Sequence, residues 1–165
     1  MRNYISFSFL LHILIIYFVV TPSYPQRLSG NPILVEYAEK VFEDAERLGY
    51  KPPEFHTLTL RFINEIPEKD STTGNTTIGY TTGYRGAYPV ITINSFTWAH
   101  MNETRKYMLI AHEIGHGIWK RDHDETILPD FTPKSIMAPV MFNVDMFNEK
   151  RDYYLRELFS KCCDI

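Results

Sequence analysis

An α+β fold is predicted for this chain from three observations: an apolar run of helical period near its start, strand-like segments through its middle, and a second helical run carrying two histidines four apart. The expected order is an N-terminal helix, a small mixed twisted sheet of three to four strands, the histidine helix, a turn and a C-terminal helix. With 165 residues, 44% of them hydrophobic, the chain reads as one globular domain around one core. The net charge of −3 is spread without a block of either sign, which argues against a nucleic-acid surface or a polybasic membrane patch. Function therefore has to be read from a site.

The elements follow in order. Arg2 precedes an apolar run from Tyr4 to Val20, interrupted by Ser6, Ser8 and His12, and the turn-prone Thr21-Pro22-Ser23-Tyr24-Pro25 comes next. This is the pattern of a secretory signal peptide over residues 1–23, with Thr21 and Ser23 as the small residues of a cleavage site. An uncleaved signal anchor is the alternative, because the run is near the lower limit of about 17 residues for a spanning helix. Residues 24–165 are then the single domain, placed outside the cytoplasm. Asn31-Pro32 caps and starts a helix whose apolar positions Ile33, Leu34, Tyr37, Ala38, Val41, Phe42, Ala45 and Leu48 recur at helical spacing up to Gly49. Lys51-Pro52-Pro53 breaks it. From His56 to Ile63, Leu58, Leu60 and Phe62 alternate with Thr57, Thr59 and Arg61, which predicts a half-buried strand. Glu68 to Asn75 is a polar loop; Thr77–Thr82 and Tyr88–Asn94 are two further short strands around Gly83-Tyr84-Arg85-Gly86. Asn102-Glu103 starts the histidine helix, and a last helix runs from about Asn148 to Phe159.

Only two cysteines occur, Cys162 and Cys163, and adjacent residues do not form an ordinary disulfide without strain. Stability must come from the core and any bound metal. Asn75-Thr76-Thr77 and Asn102-Glu103-Thr104 fit the glycosylation sequon, which has meaning only in a eukaryotic cell.

The segment His112-Glu113-Ile114-Gly115-His116 carries the chemistry. Residues four apart share a helix face with Cβ atoms roughly 5–6 Å apart. Two imidazoles so placed converge on one ion, with Zn–N bonds of about 2.0–2.1 Å. Glu113 sits at the edge of that face, placed to hydrogen-bond a water on the metal rather than to coordinate, the position of a general base. A catalytic zinc takes three protein ligands and leaves one position open, so a third ligand is expected nearby. Were the helix to continue, His123 would lie about 10 Å along its axis from His116 and out of reach. The helix is therefore expected to stop between Gly117 and Arg121, where the chain folds back. His123, an imidazole of the kind zinc prefers, is then the candidate for that third ligand.

His112-Glu113-Ile114-Gly115-His116, followed by His123-Asp124 and then by Ser135-Ile136-Met137-Ala138-Pro139, resembles the metzincin clan of zinc endopeptidases, which joins an extended histidine motif to a methionine-containing turn. The resemblance covers about Tyr88 to Met141. Ser-Ile-Met-Ala-Pro is similar to the matrixin form of that turn and His123-Asp124 to the adamalysin ending. Two positions depart from the clan pattern: its glycine three residues after the second histidine is here Trp119, and its third-ligand position is here Asp122, with His123 one residue later.

The resemblance implies a single catalytic zinc ion and hydrolysis of peptide bonds by a zinc-bound water that Glu113 activates. It places Met137 in the turn beneath the metal and Pro139 in the wall of the substrate pocket. It also implies a peptide or protein substrate lying extended along an edge strand, at Tyr80–Tyr88 or the strand ending at Asn94. An upstream cysteine switch is not available, so activity is expected to be constitutive after export or restrained by a partner protein. A rival ligand set with a downstream glutamate fails, since Ile136 stands about twenty residues after His116. The alternative of another class is a secreted binding module that keeps zinc for stability and turns nothing over. Trp119 is expected to pack in the core, and His56 and His100, without partners at metal spacing, are expected to be structural.

Overall fold

A computed structural model describes residues 27–64, 77–83 and 88–160. The signal-like run, the polar loop after Asn64, the turn at residues 84–87 and the two cysteines lie outside the described residues.

The fold is α+β, a four-stranded mixed sheet with five helices. Strands β1 (Arg27–Gly30), β2 (Thr57–Ile63), β3 (Gly79–Thr82) and β4 (Val90–Asn94) lie in the order β1-β2-β4-β3. The first two neighbouring pairs are parallel, and β3 runs antiparallel to β4 at the edge. Helix α1 (Pro32–Arg47) begins where expected: the Asn31 side chain accepts from the Ile33 N–H at 3.0 Å, and proline occupies the first turn, where no donor is needed. Its buried face, Leu34, Tyr37, Ala38, Val41, Phe42 and Ala45, packs against the sheet and against α3 (Glu103–Gly117). Each large side chain buried there contributes about 1.5–3 kcal/mol, whereas the Lys40–Glu36 pair on the opposite face is exposed and screened by solvent and contributes little. The core therefore decides the orientation of α1.

Strand β2 keeps the alternation read from its sequence, with Leu58 and Leu60 fully buried. Three elements escaped the sequence pattern. Arg27–Gly30 is too short for periodicity to show, and it becomes a strand by pairing with β2. The short α2 (Ser95–Ala99) is nucleated by Asn94, whose side chain accepts from Thr97 N–H at 3.0 Å. The expected last helix is two, α4 (Val144–Glu149) and α5 (Arg151–Ser160), separated at Lys150; the Asn143 side chain caps α4, which begins ahead of the expected start at Asn148. Phe147 from α4 and Tyr154, Leu155 and Leu158 from α5 close the core.

β1 enters α1 through Gly30, at φ 113°. A Cβ there would stand 1.9 Å from the Leu60 carbonyl oxygen, so only glycine lets β1 lie this close to β2. Gly49, at φ 86°, faces open space. Gly49→Ala is expected to cost about 1–2 kcal/mol from backbone conformation alone, and Gly30→Ala distinctly more because a clash is added. Urea unfolding of the two variants checks this, and equal losses would remove the close approach from the account.

Candidate metal centre

Helix α3 starts at Asn102, whose side chain accepts from Arg105 N–H at 2.9 Å, and its buried side includes Met108, Leu109, Ile110 and Ile114. That packing sets the helix rotation and turns His112 and His116 toward one end of a cavity of about 550 Å³. Their Nε2 atoms lie 3.1 Å apart. His123 arrives from beyond the helix, its Nε2 3.2 Å from that of His116. These three residues form the one group among the described histidines, cysteines and carboxylates that is close enough to hold a metal ion. Asp122 lines the same cavity but does not join them.

The hydrogen bonds behind the rings test whether a cation fits. His112 Nδ1 lies 2.9 Å from the Ile136 carbonyl oxygen and His116 Nδ1 2.6 Å from that of Arg121. A carbonyl only accepts, so each Nδ1 carries the hydrogen, and in the neutral ring each Nε2 then presents a lone pair. Two lone pairs 3.1 Å apart cannot bond to each other; a cation between them turns the arrangement from repulsive to attractive. Tetrahedral donors on an ion with bonds of about 2.0–2.1 Å stand about 3.3–3.4 Å apart, close to the separations found. Burial pushes the pKa of His112 down to about 4, with the charges of the other two rings adding to the effect, and burial lowers His116 as well. Both favour the neutral rings that ligate.

The chain delivers His123 by stopping the helix at Gly117, as its spacing required. Trp119 follows and is fully buried, stacked on Phe42 and near Phe159. Lys120 then adopts φ 55°, its ammonium donating to the Gly117 carbonyl at 2.6 Å, and Arg121 N–H reaches back to the Gly115 carbonyl at 3.0 Å. In the extended histidine motif glycine stands three residues before the third histidine. Lys120 stands three residues before His123, so the extra residue lies between His116 and the reversal, and the left-handed position belongs to Lys120 rather than Trp119.

Met137 lies beneath the helix, fully buried. A Cβ on Gly115 would stand 2.4 Å from Met137 Sδ, so the glycine inside the histidine motif is what lets the turn approach. Ser135 to Ala138 closes that turn by a bond from Ala138 N–H to the Ser135 carbonyl at 3.2 Å. Pro139 is exposed at the rim of the cavity.

Glu113 is 4% exposed beside the three histidines, and burial pushes its pKa up to about 7. One hydrogen bond opposes that shift: Thr81 Oγ1 donates to Glu113 Oε2 at 2.7 Å. Thr81 lies on β3, and a Cβ on Gly79 two residues before it would stand 3.1 Å from Glu113 Oε1. The edge strand is thus seated on the carboxylate. The bond from Asn94 N–H to the Ile78 carbonyl makes these two a hydrogen-bonded pair, so Tyr80 and Thr82 also face β4 and the backbone groups of Gly79 and Thr81 point to the free edge. Sequence reasoning missed Thr81, because only the register of β3 against α3 brings it to Glu113. His56 stacks on Tyr88 and His100 bonds the Phe96 carbonyl; neither approaches the cluster.

Compared with known proteins, the chain matches no family model and no curated sequence.

Titration of the metal-free chain with Zn²⁺ is expected to show one ion per chain. His123→Ala should weaken binding by more than the about 100-fold that outer-shell changes reach, and Asp122→Ala should leave it close to wild type. The reverse ranking would assign the third ligand to Asp122.

Proposed function

We propose that this chain is an exported zinc-dependent endopeptidase of metzincin type. The observation that carries this reading is a buried carboxylate, Glu113, set between a three-imidazole cluster and an edge strand whose Gly79 and Thr81 backbone groups turn away from the sheet. Three imidazoles suit zinc and leave a fourth position open for chemistry. His112, His116 and His123 would hold a zinc ion, which would supply Lewis-acid polarisation of the scissile carbonyl and of the attacking water.

The chain's own groups do the rest. Glu113 accepts the proton of the attacking water and returns it to the leaving amine nitrogen, so one carboxylate serves both halves of the reaction. A carboxyl pKa near 7, set by burial, suits a group that must both take and give a proton near neutrality. Thr81 holds the carboxylate in place through its hydroxyl. The substrate lies extended along β3, pairing with the backbone of Gly79 and Thr81, and the side chain following the scissile bond enters the cavity, whose wall includes Met108, Leu109, Met141 and Phe142, with Pro139 at its rim. Export rests on the apolar run of residues 4–20; among the described residues no helix is long and apolar enough to cross a membrane.

Cleavage of a general peptide library by the zinc-loaded chain tests the reading. Glu113→Gln is expected to keep zinc and lose about 100- to 10,000-fold in kcat. Thr81→Val, which keeps the shape and deletes the donor, should lower kcat/KM about 10- to 100-fold, with Thr81→Ser restoring most of it. Turnover by Glu113→Gln at the wild-type rate would remove the glutamate from its role. Stoichiometric zinc in a folded chain that cleaves nothing would favour the secreted binding module.

A further inference from the structure

The bonds that aim the ligand shell end on backbone groups of two irregular segments. The Arg121 carbonyl takes His116 Nδ1 at 2.6 Å, and the Ile136 carbonyl takes His112 Nδ1 at 2.9 Å. The Met137 carbonyl takes the N–H of Asp124, the residue after His123, at 3.0 Å. Neither segment belongs to a helix or a sheet whose ladder would hold those carbonyls still. Each is instead tied by a side chain to one carboxylate, Glu157 on α5. Glu157 Oε1 receives Arg121 Nη2 at 2.7 Å, and Glu157 Oε2 receives the Ser135 hydroxyl at 2.6 Å. Ser135 Oγ in turn accepts from Met137 N–H at 3.0 Å, while Arg121 Nη1 donates to the Glu157 and Leu158 carbonyls at 2.8 and 3.1 Å.

The side chains of Arg121 and Glu157 are 8% and 10% exposed. A charged pair buried to this degree brings little stability that apolar packing of the same volume would not, so stability is a poor account of why it is there. Geometry is a better one. Arg121 and Ser135 approach different oxygens of one carboxylate from different segments, and a displacement of Glu157 would move the acceptors of two metal-facing imidazoles together.

We infer that Glu157 is the positioning residue of the metal centre: through Arg121 it sets the ring of His116, through Ser135 the ring of His112, and it holds the three-histidine cage in shape before any ion arrives. The inference rests on the histidine cluster as a metal centre and is independent of whether the bound ion hydrolyses peptides. It assigns a role in the centre to a residue 34 positions beyond His123 in the chain, with no metal-binding motif around it.

The test uses the full chain stripped of metal, titrated with Zn²⁺ against a chromophoric chelator and, separately, loaded with Co²⁺, whose visible absorption reports ligand geometry. Variants are Glu157→Gln, Ser135→Ala and, as a control, Asp44→Asn. Asp44 accepts from Tyr107 and Arg151 but bonds none of the three histidines. Glu157→Gln is expected to weaken Zn²⁺ binding about 10- to 100-fold and to change the cobalt spectrum; Ser135→Ala, losing one arm, should change both less. Asp44→Asn should melt at lower temperature with affinity and spectrum unchanged. Wild-type affinity and spectrum in both Glu157→Gln and Ser135→Ala would overturn the inference, whatever their melting temperatures. Should Glu157→Gln not fold, Ser135→Ala decides, since it keeps the Arg121–Glu157 pair. A wild-type chain that binds no Zn²⁺ overturns the metal centre itself and this inference with it.

Discussion

One α-helix can turn two imidazoles, four residues apart, onto a common point, and no third residue of the same helix can reach that point. Here the chain brings a third imidazole, that of His123, to the same place within seven residues of His116. The helix must end at once, and the chain must reverse. Lys120 takes the left-handed conformation that makes the reversal, at about 1–2 kcal/mol for a residue with a side chain. Burial of Trp119 between Phe42 and Phe159 and the bond from Lys120 to the helix end offset that cost. The large aromatic at the turn is therefore an apolar anchor for the reversal, at the cost of an indole Nε1 buried without a hydrogen-bond partner among the described residues.

The same reversal explains the glycine inside the histidine motif. Folding back His123 brings the segment 135–139 beneath the helix, where Met137 needs the room that a side chain at Gly115 would fill. The turn then donates nothing to an ion directly; its Ile136 carbonyl fixes the tautomer and tilt of His112. His112 and His116, whose Nδ1 hydrogens are committed to carbonyls, have only Nε2 to offer, and the Nε2 of His116 lies close to those of both His112 and His123. A cation placed among them would resolve that convergence.

Burial and hydrogen bonding pull Glu113 in opposite directions. Loss of water raises its pKa, the Thr81 hydroxyl lowers it, and burial is the larger effect. A short edge strand carries that threonine. β3 is held on one side by β4 and from below by Gly79 and Thr81 against α3, and the backbone groups of these two residues turn away from β4 beside the buried carboxylate. Exposed edges invite pairing by another chain, and here the edge stands next to Glu113 and the three-histidine cluster.

Periodicity and local signals were enough for α1, β2 and the start of α3, because Asn31, Asn102 and the alternation around Leu58 and Leu60 act within a few residues of themselves. The pairing of His112 with His116 and the need to break the helix before His123 were legible for the same reason, since helical geometry is local. What set His123 rather than Asp122 beside His112 and His116 was the position of the reversal at Lys120, which depends on where Trp119 finds its hydrophobic partners. Thr81 and Glu157 were invisible to any pattern: one reaches the site through strand register, the other through the docking of α5. The short β1 and the break at Lys150 were likewise settled by neighbours. Sequence by itself determined which residue types stand at fixed spacings along one helix; tertiary packing decided which distant groups hold them, because hydrogen bonds between remote segments carry no trace in local periodicity.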